Sequence, residues 1–261
     1  LSVNAYYLLR NRHVEIARKG FKIALVVATI ASLLQLFSGH KSADGVAHNQ
    51  PAKLAAFEGH YEASAVADMY LLGWVDTKKQ EVSGLKIPKG LSFLLYQDFN
   101  KPVTGLNAFK KEDQPKAVNF VFQTYHLMVA IGMTLIALTL LASFLWWKGN
   151  LFEQRWLLQI FAWSVLLPQL ANQLGWYSAE VGRQPWVVYG LLRTSDALSQ
   201  SLKASQVIFS LVLFTLVYIL LFGLFVYLLN KKIKHGPTDD YSGDYSDDIP
   251  DYSKRDNPIL Q

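Results

Sequence analysis

The sequence predicts an all-α fold, a polytopic transmembrane helix bundle with one long external loop. Three observations predict it. Of 261 residues 51% are hydrophobic, these are gathered into long uncharged blocks, and the basic residues cluster beside the blocks. A hydrocarbon core about 30 Å thick needs roughly 20 apolar residues, with every backbone polar group satisfied within the helix. The uncharged runs 23–39, 117–147, 156–179 and 204–230 meet that length or come close, the first extended by Lys22, whose long stem can snorkel to the interface. Spans are therefore expected at 20–39, 117–147, 156–180 and 204–230.

Taken in order, residues 1–19 open with LSVNAYYLLRNR, which reads as the cytoplasmic end of a helix that starts upstream, followed by a cytoplasmic link. Arg10, Arg12, Arg18 and Lys19 precede the first span, Lys148 and Arg155 fill the link 148–155, and Lys231, Lys232 and Lys234 follow the last span. The positive-inside rule makes that side cytoplasmic and puts 40–116 and 181–203 outside. A loop of that length usually carries structure or function. Within it Asn49 is a candidate cap for a helix with Pro51 in its first turn that runs on through AKLAAFEGHYEA, and the stretch containing Gly84, Pro88, Gly90, Pro102 and Gly105 reads as irregular. The tail 231–261 turns acidic after His235, repeats Asp-Tyr-Ser, and is expected to be disordered and cytoplasmic.

The absence of cysteine excludes disulfides, thiolate-held clusters and cysteine-anchored haem. The formal charge of +5 does not argue for nucleic acid, because the positive-inside rule accounts for the basic residues.

The third span holds the richest pattern. Gln169, Asn172, Gln173, Trp176 and Glu180 share one helical face, and Arg183 extends it toward the outer surface, where Pro185 disfavours helix at Gln184. Glu180 and Arg183 read either as an ion pair that helps helices pack or as a metal ligand or proton carrier. Pro168 predicts a bend. In the second span Met128 is core filling or an axial ligand, and Gly132, one turn on, leaves room for a flat cofactor or another helix. His126 is the one histidine inside a span and reads as a ligand or a satisfied polar group. In the loop, Glu58 has the chemistry to accept a proton from a hydroxyl, with Lys53 nearby; on a straight helix the two lie roughly 140° apart, and a solvated helix is the alternative.

Together QPAKLAAFEGHYE, HLMVAIG and GWYSAEVGRQPW resemble the haem-bearing catalytic subunit, subunit I, of the cytochrome bd quinol oxidases. The likeness runs from NAYYLLRNR to the acidic tail and implies the last four of nine helices, with 40–116 as a short quinol-binding loop. It implies that Lys53 and Glu58 serve quinol oxidation, that Met128 ligates the iron of a low-spin haem b, and that Glu180 ligates a high-spin haem b beside Trp176, Arg183 and Trp186. His126 stands where well-studied members carry arginine, and is a cofactor-binding candidate.

The remaining haem ligands, including the histidine for haem d or a haem b in its place, would lie upstream. The implied partners are the N-terminal helices of the same subunit, a second large subunit, quinol, oxygen and membrane lipid, with a small accessory subunit as a further candidate and no nucleic acid. The implied setting is a bacterial or archaeal cytoplasmic membrane. There quinol is oxidised outside and oxygen reduced to water with cytoplasmic protons, so that a gradient arises without pumping. This piece alone is expected to be inactive. A related or split noncatalytic quinol- or haem-binding subunit is the alternative, and a transporter would leave the methionine and glutamate motifs unexplained.

Overall fold

The computed structural model describes residues 1–62, 66–199 and 201–237. The chain divides into two units, Leu1–Lys203 and Ala204–Gln261.

In the first unit α1 (Ser2–Leu9) turns through left-handed Asn11 and His13 into α2 (Val14–Asn49). This helix of 36 residues is about 54 Å long, and runs ten residues past the end expected for the first span. Asn49 is thus its last residue rather than a cap, and Gln50 is the N-cap of α3 (Pro51–Phe57). The expected helix stops early because Gly59 turns left-handed (φ 62°), letting His60 N–H reach back to Ala55 O at 2.8 Å. A side chain at Gly59 would also strike Val82 Cγ2 at 2.7 Å.

The stretch expected to be irregular folds instead into an antiparallel hairpin, β1 (Met69–Asp76) with β2 (Glu81–Ile87), and a short α4 (Gly90–Tyr96). Asp76 Oδ1 accepts from the amides of Lys78 and Lys79 and shapes the turn. Gly84, read as a loop signal, is a close-approach position in a strand: a Cβ there would lie 2.0 Å from Leu72 O.

α5 (Val118–Trp147) occupies the second expected span. The third is not one helix. α6 (Arg155–Trp163) and α7 (Leu167–Gly182) are joined by a 3-10 turn at Ser164–Leu166, because Pro168 near the start of α7 has no N–H to continue the ladder. Three segments, rather than four, are individually long and apolar enough to cross a membrane among the described residues: Val14–Asn49, Lys111–Trp147 and Ala204–His235. After α7 a small hairpin pairs β3 (Trp186–Val188) with β4 (Leu192–Arg193).

Two larger cores and a small one around Ala67, Leu91 and Val103 hold this unit. Of the larger two, one gathers Ala5, Phe21, Leu25, Ala142, Leu157 and Phe161 from α1, α2, α5 and α6, with Lys22 Nζ over the Trp146 ring beside it. The other gathers Ala56, Phe57, Val75, Leu106, Val121 and Phe122 around α3, the hairpin and the start of α5. Between them α2 and α5 share hydroxyl pairs, Thr29 with Ser143 and Ser32 with Thr139, each at 3.2 Å.

The second unit is α8 (Ala204–His235), an apolar helix with Lys232, Lys234 and His235 in its last turn, where cations oppose the helix dipole. It carries helix into the start of the expected tail. From residue 238 on, that tail lies outside the described residues.

Candidate functional site

α3 is short and almost wholly buried, including Lys53 at 9% exposure, and Glu58 caps its end at 3%. Burial of charged groups at this level demands compensation or function. Phe57 stacks on Tyr125 of α5 with centroids 4.5 Å apart, and Lys53 Nζ lies 5.6 Å from the centroid of the Phe57 ring. Glu58 Oε2 is buried without a hydrogen-bond partner, and burial pushes the carboxyl up to about 8. Burial first, and then the neighbouring Arg183 guanidinium, draw the Lys53 ammonium below its ordinary range, while Glu180 acts the other way.

Gly182 is the reason α3 can reach α7. A Cβ there would stand 3.1 Å from Phe57 and 3.4 Å from Lys53 Cγ. Beside this contact is a cleft lined by Gln50, Lys53, Arg183, Trp186 and Tyr189, among others. Three buried polar atoms in its walls lack partners: Gln50 Oε1, Arg183 Nε and Trp186 Nε1. Glu180 and Arg183 form the ion pair weighed from the sequence, at 2.5 Å. The structure therefore brings Lys53, Glu180, Arg183 and Trp186 to one region; Glu58 lies on the Tyr125 side of the same helix and is not in the cleft wall.

On α5, Met128 Sδ packs against α7, where a Cβ at Gly175 would stand 2.6 Å away. The close helix approach is at Gly175, whereas a Cβ at Gly132 would meet nothing within 4 Å. α7 packs through small residues, Gly175 with buried Ser178 and Gly182, while Gln169, Asn172, Gln173 and Trp176 of the predicted polar face are exposed.

His126 turns toward the β1–β2 hairpin. Its Nε2 lies 2.8 Å from Tyr70 O and its Nδ1 2.9 Å from Phe122 O. Gln123 Nε2 donates to Gly73 O at 2.7 Å, and Asn119 Oδ1 accepts from Val75 N–H at 3.1 Å. Positions 119, 123 and 126 thus form one helical stripe that satisfies the free edge of β1.

Gln50, Asp113, Tyr125, Tyr189 and Arg193 were not legible as site residues in the sequence. Gln50, Asp113, Tyr189 and Arg193 lie in turns, a 3-10 turn and a short strand without periodicity, whereas Tyr125 lies in α5 beside His126, where nothing local marks it as the partner of Phe57. Arg193 of β4 meets Asp113 Oδ1 at 2.6 Å and lies over the Trp186 ring at 4.9 Å.

Among the described residues no group of three or more His, Cys, Asp or Glu gathers around a point. A porphyrin needs only one or two axial donors from protein. A thioether on α5 and a carboxylate on α7, each partly exposed and each a competent axial donor, fit that need.

Three segments long and apolar enough to cross a membrane among the described residues place the chain in the class of multi-pass helical membrane proteins. The family described as cytochrome bd terminal oxidase subunit I matches residues 1–237, and the chain belongs to that family.

Among similar proteins, cytochrome bd ubiquinol oxidase subunit 1 of Bacillus subtilis (strain 168) is 34% identical, over 91% of this chain and 53% of its own length. A putative cytochrome bd menaquinol oxidase subunit I of the same organism is 35% identical, over 92% and 54%. Cytochrome bd-II ubiquinol oxidase subunit 1 of Escherichia coli (strain K12) is 28% identical, over 91% and 59%. A solved bd oxidase from Geobacillus thermodenitrificans superposes with a TM-score of 0.78 at 30% identity, covering 90% of this chain and 54% of that one. The chain spans about half the length of the relatives it matches.

Proposed function

We propose that the chain forms the quinol-loop half of a terminal respiratory oxidase that passes electrons from quinol to oxygen, acting with the remaining helices of its relatives and a second large subunit. The carrying observation is Glu58: a carboxyl buried to 3% exposure with an unpartnered oxygen, on a helix whose lysine opens into a polar cleft. Ubiquinol and menaquinol both occur in the names of relatives, which supports quinol as the substrate class.

In this reading Met128 holds the low-spin haem b and Glu180 the high-spin haem b, with the third haem, d or b, and the other ligands held outside this chain. Bound haem supplies the electron-accepting and oxygen-reducing chemistry. Arg183 engages Glu180 Oε2 and would orient the carboxylate that holds the haem. Lys53 and the cleft donors orient a quinol oxygen. Glu58, outside the cleft wall and a stronger base than an ordinary carboxylate once ionised, is the group that accepts a proton released by quinol oxidation and passes it to the outer side, without itself touching the oxygen held in the cleft. Because proton release is outside and proton uptake inside, no pumping step is required. The external loop faces out and the C-terminus faces the cytoplasm of a prokaryotic membrane.

The test uses the assembled oxidase. Glu58→Gln is expected to lower quinol turnover by about 100-fold with haem content kept. Met128→Leu is expected to abolish the low-spin band of the reduced-minus-oxidised spectrum, and Glu180→Ala the high-spin haem b. Full turnover in Glu58→Gln refutes the loop assignment, and unchanged bands refute the ligands.

A further inference from the structure

One wall of the cleft is the β3–β4 hairpin, and Arg193 holds it. Arg193 is the cross-strand partner of Trp186, and its Cζ lies 4.9 Å from the centroid of the indole. Its Nη2 lies 2.6 Å from Asp113 Oδ1 and 3.6 Å from Glu112 Oε1, both at the end of the external loop. Thr194 bonds Gln184 at 2.7 Å and Pro185 O at 2.8 Å, so the strand cannot slide. The chain of contacts runs from loop carboxylate to guanidinium to indole plane. It ends at Trp186 Nε1–H, buried and without an acceptor beside the cleft.

The cleft's unmatched groups define what it takes. Arg183 Nε–H and Trp186 Nε1–H donate and Gln50 Oε1 accepts, and Lys53 lines the same cleft as a further donor. Such a set suits a ligand oxygen, as in a quinol or quinone or in a porphyrin carboxylate, and suits an apolar or cationic group badly. We infer that Arg193 is a positioning residue, a latch through which Asp113 orients the Trp186 N–H toward that ligand oxygen. This rests on the quinol oxidase reading above. The latch needs a planar cation, because lysine keeps the pairing with Asp113 but not the stack on the indole.

Arg193→Met, Arg193→Lys and Asp113→Asn are compared with the unsubstituted assembled oxidase by steady-state quinol oxidation and by the haem difference spectrum. If the oxygen belongs to quinol, KM rises about fivefold in Arg193→Met and less in Arg193→Lys, with kcat within about twofold, as expected for one misdirected hydrogen bond. A shifted haem band at unchanged KM identifies the porphyrin carboxylate instead. Unchanged KM and an unchanged band, at full haem content, overturn the latch. Should Arg193→Met fail to assemble, the near-isosteric Asp113→Asn decides by the same two readouts. An unsubstituted complex that binds haem and does not oxidise quinol overturns the functional reading rather than the latch, for which the band shift remains the test.

Discussion

Glu58 shows how one residue's environment changes its chemistry. With a carboxyl raised by burial to about 8, it is largely protonated at neutral pH, so a rate limited by Glu58 as base climbs as pH approaches 8 and then levels. A pH profile of quinol oxidation that stays flat from 6 to 9 would contradict that role. Stability has the opposite slope. The folded state holds the proton more tightly than the unfolded state, so stability is full below the ordinary value of 4.5 and is lost as pH rises from 4.5 to about 8. The loss is a few kcal/mol, and Glu58→Gln is expected to raise thermal stability at pH 8 and leave it unchanged at pH 4. Gly175 makes a second prediction at this scale. Gly175→Val places carbon where Met128 Sδ packs, and is expected to shift or bleach the low-spin haem band of the assembled oxidase, while Gly132→Ala, in open space, leaves it unchanged.

At the scale of elements, the hairpin is hung from α5 by Asn119, Gln123 and His126. A strand edge left unpaired would have exposed its amides, and the helical stripe supplies the missing partners. Asn119→Leu is expected to speed hydrogen exchange at the Val75 amide roughly fivefold, as befits one lost hydrogen bond, with α5 itself unaffected. The stripe also has a role that the sequence does not display. Asn119, Gln123 and His126 lie inside an uncharged run and so pass for membrane residues, although each serves a strand brought in from as many as 56 residues away. Likewise the break at Ser164–Leu166 follows from a proline that the sequence displays, but its extent, a full 3-10 turn, is visible only in the structure.

At the scale of the molecule, α2 extends beyond its uncharged run and α5 carries the hairpin along its first turns, so both helices rise above the apolar zone. Residues 127–147 of α5 are then left to cross a hydrocarbon core of about 30 Å. The chain has no cysteine, which makes single-cysteine labelling direct. Phe120→Cys, 46% exposed, is expected to react from outside intact cells with a membrane-impermeant maleimide, and Met133→Cys, 52% exposed, is expected not to react. Labelling at both positions would place the boundary deeper than the hairpin indicates.

Hydropathy and charge placement alone determined that this is a multi-pass helical chain, because the bilayer's demand for about 20 apolar residues leaves a mark that no tertiary contact is needed to read. Met128, Glu180, Lys53 and Glu58 were legible as candidates through the segments around them. Tertiary structure alone decided which groups meet: that Gly182 lets Lys53 reach Arg183, that His126 faces Tyr70, and that Asp113 orders the Trp186 indole through Arg193. Those pairings join residues as far as 130 positions apart, and no local period records them; they exist because small residues and short turns let separate helices approach to contact distance.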